Sequence, residues 1–400
     1  MEEASASGGE AALVGLLQAP AMEPALAQLL RPLRLRLTDW RHLRTHHRPR
    51  AGASAVYRLQ AQARDGQLLT LHAVATTAAA PGTVTARVAG TQLRLWLHPR
   101  DPQLPDLPWA TSAAAVGRDL FDGALPALET LAYRPLRRAV IRAADAERVR
   151  YLKVLPPRAA AALATRHVLL QEAGLPVPVL AEGAPPATVA TEQAPGTPLV
   201  RPLITGSSAG LDPLQLPALL DRLPAGVLAL RARPAWSERV LDYARAASVA
   251  LPEAQARIRN LAEAAARRAA ASDAGPVVPV HGDFHPGNLL IRQGQVTGLL
   301  DLDAVGPGHR VDDLACFLGH AAVLAAVNPH RPEAAAEAAR IRSAFEGVVD
   351  PGALAARADA VALTLVAGAR GRAFRPRAHE AELRLAAAEA LLHRRLPGEP

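Results

Sequence analysis

The chain is short of almost everything that would place it outside a reducing compartment. It has one cysteine, Cys316, so no intramolecular disulfide can form, and a cytoplasmic location is expected. No apolar run suggests a membrane span. The N-terminus, MEEASASGGEAALVGLL, begins acidic, lacks a basic leader, and carries too short an apolar stretch for a signal peptide. Aromatic residues are scarce at 3%, with four Tyr, five Phe and four Trp, and no run of five basic residues occurs. The pI near 10.7 therefore lacks the clustered cations and stacking rings of a nucleic-acid groove, and neither nucleic acid nor membrane is expected as a partner. Oligomeric state is not readable from these features.

What is present is ordinary for a globular chain. Four hundred residues suggest two to three domains, and 50% apolar with 20% charged residues support a sizeable core. Residues 1–50 are helical in tendency. Residues 54–100 alternate as strands between Asp-Gly and Pro-Gly turns. DPQLPDLPW at 101–109 is a Pro-studded connector, and from about Leu125 three strands precede the helix-like run RAAAALATRHVLLQEA, closed by Gly174. Beyond residue 212 most segments have helical periodicity.

The chemistry concentrates between His281 and Asp313, in HGDFHPGNLLIRQGQVTGLLDLDAVGPGHRVDD. An Asp, then an Asn five residues on, then two apolar strands around a Gly turn ending in Asp, is the layout of a phosphoryl-transfer site. Asp283 would accept the proton of a substrate hydroxyl. Asn288 and Asp301 would hold Mg²⁺, because hard divalent cations take oxygen ligands, and Asp303 is a further candidate ligand. The run resembles the aminoglycoside phosphotransferase and choline kinase family, whose typical form is HGDLHPGN followed by a strand and IDW. Here the second piece is LLDLD, with Leu302 in place of the common aromatic.

The resemblance implies an α+β, two-lobed protein-kinase-like fold with a small strand-rich lobe and a large helical lobe. The expected division is 1–124 as a strand-rich extension, 125–200 as the nucleotide-binding lobe and 201–400 as the catalytic lobe. It also implies ATP or GTP with Mg²⁺ as cofactors and a small-molecule hydroxyl as acceptor. Lys153 is the single Lys among 45 Lys plus Arg, in VRYLKVL, and marks a place where Arg will not serve; in such folds a strand Lys reaches the nucleotide phosphates as a point charge. The loop Tyr133–Arg138, with Arg137, would cover those phosphates. Ala190–Gly196, with Glu192 and Ala194, resembles the hinge whose main chain pairs with the nucleotide base. The resemblance also makes His281 a structural residue of the catalytic loop, and has Asp313 brace that loop beside its ordinary reading as a helix cap.

Several features depart from the pattern or leave other readings open. Neither GxGxxG nor GxxxxGKS is present. The acid expected to pair with Lys153 from the following helix can only be Glu172, in its last turn, and failure of that pair would leave a catalytically silent binding protein. H-x-D-x-H at 281–285 is also compatible with a metal-dependent hydrolase, and GSSAG at 206–210 with a serine hydrolase elbow. A protein kinase is disfavoured, because Gly282 stands where H-R-D has Arg. Only eleven residues separate Asp301 from Asp313, too few for a long activation segment.

Overall fold

The structure is a computed structural model that describes residues 12–48, 52–369 and 377–392. The acidic N-terminal segment read above, residues 1–11, lies outside them. The chain divides into two compact units, residues 1–164 with 180–193 and residues 165–179 with 194–400. No helix among the described residues is long and apolar enough to cross a membrane.

The first unit holds two antiparallel sheets. The first sheet contains β1 (Arg36–Arg48), β2 (Gly52–Gln62), β3 (Leu68–Thr76), β4 (Val84–Val88) and β5 (Thr91–Leu97), in the order β1-β2-β3-β5-β4. Helix Glu23–Leu30 lays Ala25, Leu26, Leu29 and Leu30 on the inward face of β2, whose Ala53, Ala55, Tyr57, Leu59 and Ala61 alternate as a half-buried strand requires. The helical tendency expected for residues 1–50 is therefore corrected beyond Leu30. Residues 36–48 form a thirteen-residue strand because pairing with β2 satisfies their backbone and overrides local propensity.

The second sheet, in sequential order, contains β6 (Ala127–Arg134), β7 (Arg138–Ala144), β8 (Val149–Val154) and β9 (Thr188–Glu192). The segment read as a connector belongs to its core. Helical turns at Leu107–Ala110 and Ala113–Leu120 bury Leu104, Leu107, Ala110, Val116, Leu120 and Phe121 among Ala139, Ile141, Leu152 and Val154. The Asp101 carboxylate, 4% exposed, accepts hydrogen bonds from the Tyr133 hydroxyl (2.8 Å) and the Leu136 amide (2.9 Å), fixing the β6–β7 turn. By contrast, the main core of the first sheet draws on residues 14–97, and a smaller cluster of Val74, Ala80 and Trp96 packs against Tyr133 and Leu136. Residues 104–121 thus pack with the second sheet and not with the first.

Limited proteolysis should accordingly leave a stable fragment starting near residue 101. A chain starting at residue 125 lacks six buried side chains, five of them beyond alanine at about 1.5–3 kcal/mol each for the larger ones, which exceeds the margin of a typical domain. A cooperative melt by the 125–400 fragment would contradict this.

The second unit is mainly helical. Val240–Ala250, Gln255–Ala271, Pro351–Thr364 and Arg377–Leu392 pack around Val240, Ala247, Ile258, Leu363 and Leu385, and helix Arg310–Ala326 contributes Val323. Strands β10 (Thr197–Pro198), β11 (Val277–Val280), β12 (Leu289–Arg292), β13 (Gln295–Leu299) and β14 (Gly306–His309) form two small sheets, in which β12 pairs with β13 and β11 with β14. A strand-rich N-terminal part followed by a helical C-terminal part is the α+β arrangement expected.

Candidate active site

Two antiparallel strand pairs fix the chemistry-bearing segments by their register. Val280 pairs with Gly306, so the chain leaves β11 at His281 beside the chain that enters β14. Leu289 pairs with Leu299, and the Leu300 amide donates to the Asn288 carbonyl at 2.8 Å. Residues 281–288 and 300–305 therefore lie alongside each other, tied at both ends. This brings Asn288 and Asp301 to the same end of the β12–β13 hairpin.

The loop is held from behind by Asp313, in the first turn of helix Arg310–Ala326. Its carboxylate is 1% exposed and accepts the amides of His281 (2.7 Å) and Gly282 (2.8 Å). Burial pushes its pKa up to about 7, against the opposing pull of those two amides. Asp313 thus braces the loop, as the resemblance implied. Gly282 has φ +76°, and a Cβ there would lie 2.6 Å from the Ala304 carbonyl oxygen. The two segments are in backbone contact at that point, which explains why no Arg stands between His281 and Asp283.

His281 is fully buried, and both ring nitrogens are engaged. Nδ1 accepts from the Asp283 amide (3.3 Å), and Nε2 lies 2.9 Å from the Leu300 carbonyl and donates to it. It is therefore a neutral structural ring, and it has no lone pair left for zinc. His285 Nδ1 accepts from the Gly287 amide (3.0 Å), and its ring stacks on His320 at 4.3 Å. Among the described residues no group of three His, Cys, Asp or Glu is placed to hold a metal ion. The hydrolase elbow fails as well. The short helix Val200–Ile204, not a strand, precedes GSSAG, and the Ser208 hydroxyl donates to the Leu211 carbonyl while accepting from Arg340.

Asp283 is half-buried. The Asn288 amide donates to its carbonyl at 2.9 Å, and the Trp236 indole N–H donates to its Oδ1 at 2.9 Å. With its amide so used, Asn288 keeps its side-chain oxygen as an acceptor. Asp301, half-buried, adopts left-handed φ +58° as the chain leaves β13. Asp303 stands in the electrostatic field of Arg166, a 5% exposed side chain whose Nε donates to the Val305 carbonyl at 2.8 Å. An oxygen-only donor set from Asn288 and Asp301 fits Mg²⁺ and not a softer metal. Those two residues would hold the ion, with Asp303 nearby. When bound, it would neutralise charge on nucleotide phosphates.

The remaining expected residues lie elsewhere in the sequence. Lys153 is half-buried in β8, between Val140 of β7 and Val189 of β9. Arg137 is exposed in the β6–β7 turn. Glu192 ends β9 with its carboxylate held by Arg150 at 2.7 Å, so its main chain is what it has to offer a ligand; Ala194 follows two residues later. Glu172 is exposed in the last turn of helix Pro157–Glu172 and forms no ion pair among the described residues. The sequence reading missed Trp236, His320 and Arg166. Scarcity of aromatics was the only signal for Trp236, and for the other two there was none.

Acidification should weaken this site. Desolvation lowers the pKa values of His281, His285 and His320 below the ordinary 6.5, and the His320 Nε2 is shut away from solvent without a hydrogen-bond partner. A base whose folded pKa is depressed contributes stability that is present above its unfolded value and lost as pH falls. Asp313, raised to about 7, has the opposite sign: its contribution is present below its unfolded value of 3.8 and lost as pH rises toward 7. Three rings against one carboxyl favour a lower melting temperature at pH 5 than at pH 7.5, with the gap narrowed by His320→Phe. Equal melting temperatures at the two pH values would refute it.

A profile of the phosphotransferase enzyme family matches residues 137–357, which include the β11–β14 segments and Asp313. No curated protein matches the chain. Among solved structures, a choline/ethanolamine kinase family protein from Mesorhizobium loti is 18% identical, covering 71% of this chain and 94% of that one with a TM-score of 0.49. An aminoglycoside-3'-phosphotransferase of type VIII is 23% identical, with coverage of 60% and 93% and a TM-score of 0.41. The family match spans more than half of the chain and contains the braced loop, both strand pairs and the Asp283–Asn288–Asp301 set, and on that ground the chain belongs to the phosphotransferase enzyme family.

Proposed function

We propose that the protein transfers the γ-phosphoryl group of ATP or GTP, with Mg²⁺, to a hydroxyl of a small molecule. The observation that carries this is the convergence of Asp283, Asn288 and Asp301 on adjoining segments held by Asp313. Asp283 takes the acceptor proton as the acceptor oxygen forms its bond to phosphorus. The bond from phosphorus to the bridging oxygen breaks, and its electron pair leaves with the nucleoside diphosphate. Lys153 and Arg137 are proposed for the phosphates, and the main chain around Glu192 and Ala194 for the base. Glu172 is the acid proposed to support Lys153.

The acceptor reading rests on a cavity of about 420 Å³ within the second unit, bordered by Arg233, Trp236, Glu238, Gly282, His309 and Asp312. Two of its acids, Asp312 and Asp313, are engaged, and Glu238 is exposed with one amide contact. Asp312 accepts from Ser237 (2.7 Å) and Arg357 (3.4 Å), Glu238 accepts from the Ala235 amide (3.1 Å), and Asp313 serves the loop. A polycation would find one exposed carboxylate there, that of Glu238, and no acidic cluster, so a neutral hydroxylated acceptor is favoured over an aminoglycoside.

The test is a nucleotide-consumption screen with Mg²⁺ across neutral sugars, amino alcohols and aminoglycosides. Turnover with a neutral hydroxyl compound is the expected result, and turnover confined to aminoglycosides would overturn the acceptor reading. Glu172, exposed and without an ion pair among the described residues, favours one other reading, a silent binding protein. Calorimetric binding of Mg-nucleotide without turnover on any acceptor would establish that one.

A further inference from the structure

We propose that Trp236 is a positioning residue for Asp283: its indole N–H holds one carboxylate oxygen and leaves the other facing the acceptor hydroxyl. This rests on the reading of Asp283 as the base. The main chain of Asp283 is fixed from two sides, its amide on His281 Nδ1 and its carbonyl under the Asn288 amide. Neither contact fixes the side-chain torsions. Among the described residues, the single hydrogen bond to the carboxylate comes from Trp236, at 2.9 Å. A base must stand within hydrogen-bond reach of the proton it removes, and a carboxylate free to turn would spend much of its time out of line.

Trp236 is itself held on several sides. Its ring lies 5.1 Å from that of Tyr243, and the Arg239 guanidinium sits over both rings, 5.4 Å from Trp236 and 5.0 Å from Tyr243. The next residue, Ser237, is buried and donates to Asp312 at 2.7 Å, one residue before the Asp313 that braces the loop. The indole is therefore referenced to the same helix as the loop it contacts. Packing alone would be served by any large ring. Among Phe, Tyr and Trp, only Trp carries an N–H in the ring itself, and in a chain with four Trp one is placed where its N–H meets the base.

Trp236→Phe keeps the ring and removes the donor. On the acceptor found by the screen, kcat should fall about tenfold while KM for Mg-nucleotide stays within about twofold, since misorientation costs the chemical step and not nucleotide binding. An unchanged kcat would overturn the proposal, as would a loss confined to KM. If the Phe variant melts early, Trp236→His decides, because it returns a ring N–H: kcat above that of Trp236→Phe supports the role, and kcat equal to it refutes it. Absence of turnover by the unmutated protein would instead remove the phosphotransferase reading, so the two failures are distinguishable.

Discussion

Asp283→Asn should retain Mg-nucleotide affinity and lose turnover by roughly 10²–10⁴-fold, the usual contribution of a general base. The amide preserves volume and can still meet the Trp236 N–H with its oxygen, so the loop geometry in which His281 and Asn288 hold the Asp283 main chain persists. What is lost is a lone pair able to take a proton. Asp301→Asn should fail differently, because a carboxylate is a far better Mg²⁺ ligand than an amide, so metal and nucleotide affinity should fall together. Titrating metal and nucleotide against both variants, beside turnover, separates the roles. Retained turnover in Asp283→Asn would sink the assignment of the base, and unchanged metal affinity in Asp301→Asn that of the ligand.

The second large effect is expected at a residue with no side chain to offer a substrate. Gly282→Ala places a methyl group 2.6 Å from the Ala304 carbonyl oxygen and 3.0 Å from its Cβ, at a backbone φ of +76° that L-residues rarely adopt. Backbone strain of this kind costs about 1–3 kcal/mol, and the contact adds to it because the obstacle is main chain and not a flexible side-chain end. The least costly relaxation moves residues 301–305 away from the 281–288 loop. Turnover should therefore fall by at least about 10²-fold, since displacements near 1 Å at a reacting centre have that effect. The melting temperature should drop as well. A Gly282→Ala variant with wild-type kcat and stability would show that the two segments are not in the contact described.

How much of this was legible in the sequence follows from the range of the interactions. HGDFHPGN, the apolar strands and LLDLD are contiguous, and their hairpin forms between near neighbours, so the Asp283–Asn288–Asp301 set was readable from spacing. The second sheet and its following helix were readable too, because alternation and a Gly174 stop are local signals. By contrast, Arg36–Arg48 reads locally as helix and becomes a strand because β2 offers its backbone a partner. The Pro-rich stretch from 101 looks like a linker and is core, because its apolar residues meet strands more than twenty positions away.

The sequence by itself determined the chemistry: which oxygen-bearing residues are available, their spacing, and thereby the family. Tertiary structure decided how that chemistry is held. The carboxylate of Asp313 reaches His281 and Gly282 across more than thirty residues, and Trp236 reaches Asp283 across forty-seven. Neither contact has a periodic or local signature, since each exists only once helix, loop and hairpin have packed. Gly282 makes the same point, because its need for a bare Cα comes from Ala304, and no reading of its neighbours in sequence supplies that wall.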